Sequence, residues 1–350
     1  MFRSIQYLRG IAALMVVLHH ACQSTTGSEG SAGGFNIGQA GVDIFFVISG
    51  FIMYSMARDK TVSDFLWDRI IRIVPMYWIA TFVLIVIEYR GNISNVKPNI
   101  GWHIAESLFF IPHYSPINPG QIWPYVIPGW TLNYEMFFYV IFSVGLLIYR
   151  PLMVVSITMA LLVVLGFEFT FDDPRFLTYT NPIVIEFVFG LMIAKYRERI
   201  AAPAAIALLP LGVLALVLSE FIDAPRVLAW GLPASLILIG AMATEQTGRL
   251  PNAAALVGLG DASYSIYLFQ KAPLLAAAKL SGMASRSPDL AFALKIFLSL
   301  SLSSIVGLLI YKYVERPILT AGKRIRLSVR PILNRPAGLP SEPRSRNLRL

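Results

Sequence analysis

The sequence is poor in charge. Asp, Glu, Lys and Arg make up 14% of its 350 residues, against about a quarter in a soluble globular domain. A water-soluble chain of this length would need far more charge to cover its surface. Cysteine is nearly absent: Cys22 stands alone, so no intrachain disulfide forms and the redox compartment is not legible. An apolar helical cysteine reads as filler. The four histidines are His19, His20, His103 and His113, and only the first two adjoin. That leaves no zinc-ligand spacing, and no metal is expected. No repeat of fixed period is visible, and no inverted halves of the transporter kind. Arg9 interrupts the first apolar run and no small-residue cleavage site ends it, which argues against a cleavable signal peptide.

What is abundant is apolar. Hydrophobic residues make up 56% of the chain, and the mean hydropathy is +0.64. The surplus must face lipid. A span needs ~20 predominantly apolar residues, and the runs place ten: 6–24, 38–57, 74–90, 129–149, 152–169, 181–195, 203–221, 226–244, 253–280 and 289–314. The expected fold is therefore an all-α polytopic transmembrane bundle. Residues 101–112 are too short to span and read as re-entrant or interfacial. Residues 24–34 read as a flexible small-residue outer loop.

The net charge is +9. A basic chain can signal nucleic acid, but here the cations sit between hydrophobic runs and in the C-terminal stretch. That is the positive-inside pattern, so no nucleic-acid partner is expected. With both termini cytoplasmic, Arg3, Lys60, Arg69, Arg72, Arg150, Arg197 and Arg249 fall inside. Arg90, Lys97, Arg175, Arg226 and Arg286 fall outside. The chain divides into a membrane domain over 1–320 and a basic tail over 321–350, which is Pro-, Ser- and Arg-rich from 335 on and expected to be disordered.

Ionisable groups within spans are costly and mark function by default. Arg9 and His20 stand eleven residues apart, ~16 Å along a helix. Arg9 then lies at the inner interface, as an anchor or a ligand-facing group, and His20 toward the outer half. His19 points ~100° away from His20 and reads as structural. Asp43 and Glu135 each lie a turn or two inside a span that enters from outside, so the reading places them in one layer with His20. A histidine beside a carboxylate is a competent general base, while helix-entry capping is the plainer account of each carboxylate. Arg69 and Arg72 share one helical face and suit phosphate groups on the inner side. Ser263, Tyr264, Ser265 and Tyr267 fit helix-packing hydroxyls. Glu315, Arg316 and Pro317 read as a local ion pair and helix stop.

The segments LRGIAALMVVLHH, GVDIFFVISGFIMY, FLWDRIIRIVPMYW, PGWTLNYEMFFY, GDASYSIYLFQ and YVERP occur in one order. In this the chain resembles the membrane acyltransferase 3 family, in its exopolysaccharide-modifying branch, from about residue 4 to about residue 320. The resemblance implies O-acyl transfer, usually acetyl, from cytoplasmic acetyl-CoA to a sugar hydroxyl of an exported or lipid-linked glycan. Such an enzyme sits in a bacterial inner membrane. The resemblance carries His20, Asp43 and Glu135 over as catalytic. It carries Arg9, Arg69 and Arg72 over as donor-binding, and Trp130, Tyr134 and Tyr264 as substrate-binding. Gln270 departs from the family, where many relatives have histidine, so a titrating role there does not transfer. Two other classes fit the composition. One is a proton-coupled secondary transporter of a glycan intermediate or an anion, built on Asp, Glu and His relays. The other is a structural subunit of an export complex, which leaves the placed ionisable groups unexplained.

Overall fold

In the computed structural model, residues 2–23, 35–57, 60–88, 99–200, 203–285 and 287–333 are described. Among them there is no strand. The first helices are α1 (Arg3–Gln23), α2 (Ala40–Ala57), α3 (Val62–Glu88), α4 (Ile100–Leu108) and α5 (Trp130–Leu147). There follow α6 (Pro151–Glu168), α7 (Pro174–Tyr179), α8 (Ile185–Ile200), α9 (Leu208–Leu218) and α10 (Leu232–Gln246). The last are α11 (Ala254–Asp261), α12 (Ser263–Phe269), α13 (Lys271–Ala284), α14 (Pro288–Ile310) and α15 (Arg316–Leu333).

Among the described residues, eight helices are long and apolar enough to cross a membrane. The expectation of ten differs at two places. Residues 181–195 form a 3₁₀ turn and α8, whose 16 residues are short for a span. Residues 253–280 form no single helix but three, α11, α12 and α13, broken after Asp261 and after Phe269. The expected flexible loop at 24–34 lies outside the described residues. The expected tail begins as helix: 321–333 belong to α15, and the remainder lies outside the described residues.

The outer face of the bundle is apolar. On α6, Met153, Ile157, Leu161 and Val164 are each about half exposed while Val155 and Met159 are fully buried. One stripe faces out and the opposite one packs inward. A stripe that water would penalise is what lipid accepts, and the chain is a multi-pass membrane protein.

Inside the bundle, α1 packs against α2, α10, α11, α12 and α14. One close crossing joins α2 to α8, where Gly50 faces the Phe187 carbonyl and Gly190 faces that of Val47. A Cβ on either would lie 2.0–2.1 Å from a backbone oxygen, so only glycine fits. The start of α1 is capped by α10: Glu245 accepts from the Ser4 hydroxyl at 2.6 Å and from the Arg3 and Ser4 amides at 2.9 Å. A carboxylate there answers otherwise unpaired helix-start amides. The start of α3 meets α15 at an ion pair between Arg326 and Asp68.

Residues 109–129 connect α4 to α5 by entering the bundle rather than running over it. Tyr125 and Val126 are buried, and Gly129 abuts the ring of Tyr77. Tyr77 lies eleven residues inside the Glu88 end of α3, ~16 Å along the helix. Helix α5 therefore starts deep in the bundle.

Candidate active site

The ionisable residues singled out from the sequence separate into an inner cavity, an outer cluster and the end of α1. The cavity has a volume of about 410 Å³ and runs between α1, α2, α3, α5, α12 and α15. Its walls carry Arg9, Arg69, Arg72, Glu135 and Tyr264. Cations at the mouth are Lys60, Lys323 and Arg326. Arg9 is buried and its guanidinium donates to the Gln6 side chain at 3.4 Å. Arg69 has its Nε buried without a partner and its Cζ 5.9 Å over the Tyr139 ring. Arg9 is buried and Arg69 and Arg72 are half-buried, and guanidinium groups that line a cavity suit an anion with charge and acceptors to offer.

Glu135 is the carboxylate at the inner part of this cavity. It accepts from Ser49 at 3.1 Å and from the Tyr139 hydroxyl. The Tyr264 hydroxyl donates to the Ile73 carbonyl at 3.0 Å, and Tyr267 and Thr131 also line the cavity, bonded to each other at 3.2 Å. Glu315, read from the sequence as a local ion pair with Arg316, instead turns inward. It is buried and accepts from Ser265 at 2.6 Å. Its charge also falls on Arg72 and Arg9.

The outer cluster gathers the starts of several helices. Asp43, in the first turn of α2, is fully buried and receives Arg226 at two points, Nε–Oδ1 3.0 Å and Nη2–Oδ2 2.8 Å. Glu186, in the first turn of α8, is equally buried beside this pair. The Arg226 guanidinium lies 4.7 Å over Trp230 and 5.9 Å over Trp130, and Trp130 meets Tyr134 edge-on. Sequence reasoning missed Arg226 and Glu186. Arg226 was assigned to an outer loop, and its signal was a lone cation beside a tryptophan-containing run. Glu186 sits four residues after a proline in an apolar stretch, a carboxylate in a span.

His20 belongs to neither group, and the expected shared layer of His20, Asp43 and Glu135 does not exist in the structure. His19 is bonded to the Phe35 carbonyl at 2.9 Å, which sets this end of α1 level with Phe35. Asp43 lies eight residues further along the chain, and Ser49, the partner of Glu135, six more. Six helical residues are ~9 Å, so the three groups stand at three depths, and neither carboxylate pairs with His20. The deep start of α5 is the reason, for it carries Glu135 down to the level of the arginines. His20 does share a face with Arg9, because eleven residues at 3.6 per turn come within ~20° of three full turns.

Gln270 is buried, donating its amide to the Tyr267 carbonyl at 2.8 Å. Among the described residues, no group of three or more His, Cys, Asp or Glu is placed to hold a metal ion.

Comparison with known proteins gives a family and two relatives. A family model described as an acyltransferase domain matches residues 2–312. The chain is 39% identical over 306 residues to the exopolysaccharide production protein ExoZ of Rhizobium meliloti (strain 1021), covering 84% of this chain and 93% of that protein. It is 27% identical over 146 residues to the acyltransferase MdmB of Streptomyces mycarofaciens, covering 40% of this chain and 38% of that one. No solved structure matches.

Proposed function

Because this chain belongs to the acyltransferase 3 family, we propose that it is an O-acetyltransferase of polysaccharide export. In this reading it moves an acetyl group from cytoplasmic acetyl-CoA to a sugar hydroxyl of an exported or lipid-linked glycan. The relative named for exopolysaccharide production supports the acceptor class. The observation that carries the donor is the cavity, on whose wall Arg9, Arg69 and Arg72 stand with the carboxylate Glu135. Phosphates of CoA supply the anions this wall lacks. The setting is a bacterial inner membrane, with both chain termini on the cytoplasmic side and the cavity mouth opening there.

The acetyl end of the donor passes along α1 from Arg9 toward His20, ~16 Å away on the same helix face. The pantetheine arm is long enough for that path, past the apolar walls Val42, Phe45 and Phe46. His20 removes the proton from the sugar hydroxyl as its oxygen bonds to the acetyl carbon. The carbon–sulfur bond breaks, and the thiolate leaves and takes up a proton as free CoA. In the two-step form His20 accepts the acetyl group first and passes it to the hydroxyl. Glu135 sets the charge balance of the arginine wall, and Tyr264 shapes the donor path. Trp130 and Tyr134, held by the Asp43–Arg226 pair, offer an aromatic surface for the sugar on the outer side.

The reading is tested with purified protein, labelled acetyl-CoA and lipid-linked glycan. Acceptor-dependent release of CoA, lost in His20→Ala, is the expected result. Flux of glycan across vesicles without acetyl transfer would replace this reading with transport.

A further inference from the structure

The mouth of the cavity has its own chemistry, apart from the inner arginines. Helix α15 lies beyond the segment matched by the family model, which ends at 312. It nevertheless supplies Leu319, Gly322, Lys323 and Arg326 to the cavity wall. These positions recur every three or four residues, so they form one face of α15. Gly322 lets this face approach α3. A Cβ there would sit 2.4 Å from Ile71, and the Gly322 carbonyl accepts from the Trp67 indole at 3.0 Å. Trp67 itself lines the cavity.

Across from α15, Asp68 holds two cations at once, Lys60 at 2.7 Å and Arg326 at 2.5 Å. Lys323 lies three residues from Arg326, on the same face, and is exposed at the mouth. Asp64 lies 3.9 Å from Arg326 as well, so the mouth carries three cations and two carboxylates beside an aromatic ring. The ring offers a face to a flat base, and the surplus cation offers charge-assisted bonds to phosphate.

We propose that α15, Lys60 and Trp67 form a nucleoside-phosphate subsite at the mouth, which reads the phosphorylated ribose and base of the donor while the inner arginines hold its diphosphate. The proposal rests on the reading of the donor as acyl-CoA and adds how that donor is distinguished from shorter carriers. Asp68 keeps Lys60 and Arg326 in place before the donor arrives, and Lys323 supplies the charge that remains unmatched. The same phosphate chemistry could be met by an anionic lipid headgroup, and the experiment separates the two.

The test measures binding of CoA, 3′-dephospho-CoA and 4′-phosphopantetheine to the full-length protein in nanodiscs of neutral lipid, for wild type, Lys323→Ala and Lys60→Ala. Wild type is expected to prefer CoA over dephospho-CoA by about tenfold, the effect of one charge-assisted phosphate contact. Each variant is expected to lose most of that preference while its affinity for phosphopantetheine stays within about twofold. A wild type that binds CoA and dephospho-CoA equally, or variants that keep the preference, would overturn the subsite alone. A wild type that binds none of the three ligands would overturn the acyl-CoA reading with it. Loss of the preference when phosphatidylglycerol is added to the nanodiscs would assign the cluster to lipid headgroups, and so overturn the proposal.

Discussion

Asp43 and Arg226 form a two-point ion pair across 183 residues of sequence, with the Asp43 side chain fully buried. The pair joins the start of α2 to the approach of α10. It uses both oxygens of a carboxylate that the sequence offered as a partner for His20. Asp43 therefore ties the start of α2 to Arg226, whose guanidinium lies over the Trp130 ring.

Removing one side of a buried pair strands the other charge. Arg226→Ala is expected to destabilise the protein by about 3 kcal/mol or more. Asp43→Asn is expected to cost less, since asparagine still accepts a hydrogen bond. The double variant should cost clearly less than the sum of the two. Thermal unfolding in detergent measures this cycle. Additive losses would show that the two residues act apart.

The two adjacent histidines are expected to separate cleanly. His20→Ala should lower acetyl transfer by a factor of about 10² to 10⁴, the range of a general base. His19→Ala loses one bond to the Phe35 carbonyl, about 1 kcal/mol of stability, and should leave the rate within a few-fold. Glycan O-acetyl content in a strain lacking the native gene reads both. Undiminished acetylation in the His20 variant would remove that residue from the chemistry.

Arg69 and Arg72 face the cavity with different freedom, since Arg69 is already beneath the Tyr139 ring. Alanine at either position is expected to raise the donor KM by about tenfold or more, with a smaller fall in kcat. Lysine restores charge but not the planar fork, so its recovery should be partial. Steady-state kinetics over a range of acetyl-CoA concentration decides it. A fall in kcat alone would place these arginines in the chemical step.

The entering segment 99–129 carries a pH-sensitive contact. His113 donates Nδ1–H to the Ile111 carbonyl at 2.7 Å, which leaves its Nε2 to accept from His103 at 2.7 Å. Burial, and then the charge of His113, hold His103 down to about 4. His103 is therefore neutral in the folded protein down to about pH 4 but protonates near 6.5 when unfolded. Its contribution is complete above about pH 6.5 and is lost as the pH falls from there toward 4. The facing groups are His113 and, 4.0 Å from it, Glu106. Hydrogen exchange at the Tyr125 amide, which donates to Ser107 beside His103, is expected to quicken over that window. The change should vanish in His103→Gln. An unchanged profile in that variant would assign the effect elsewhere.

The sequence by itself determined that the chain is helical and embedded in lipid, because runs of apolar residues can satisfy their backbone there only as helices. It also fixed which residues share a helix face. Arg9 and His20 align, and Arg69 and Arg72 reach one cavity, because the helical period is a local property. Depth was different. Counting inward from each span boundary put Asp43 and Glu135 level, yet the segment before α5 dives beside Tyr77 and carries Glu135 to the arginines. Only the tertiary structure decided that, along with the Asp43–Arg226 pair, the inward turn of Glu315 to Ser265, and the return of α15 to the cavity mouth. Each joins residues between 50 and about 260 positions apart. Such pairings follow from how the helices pack, and a local pattern of residues does not encode them.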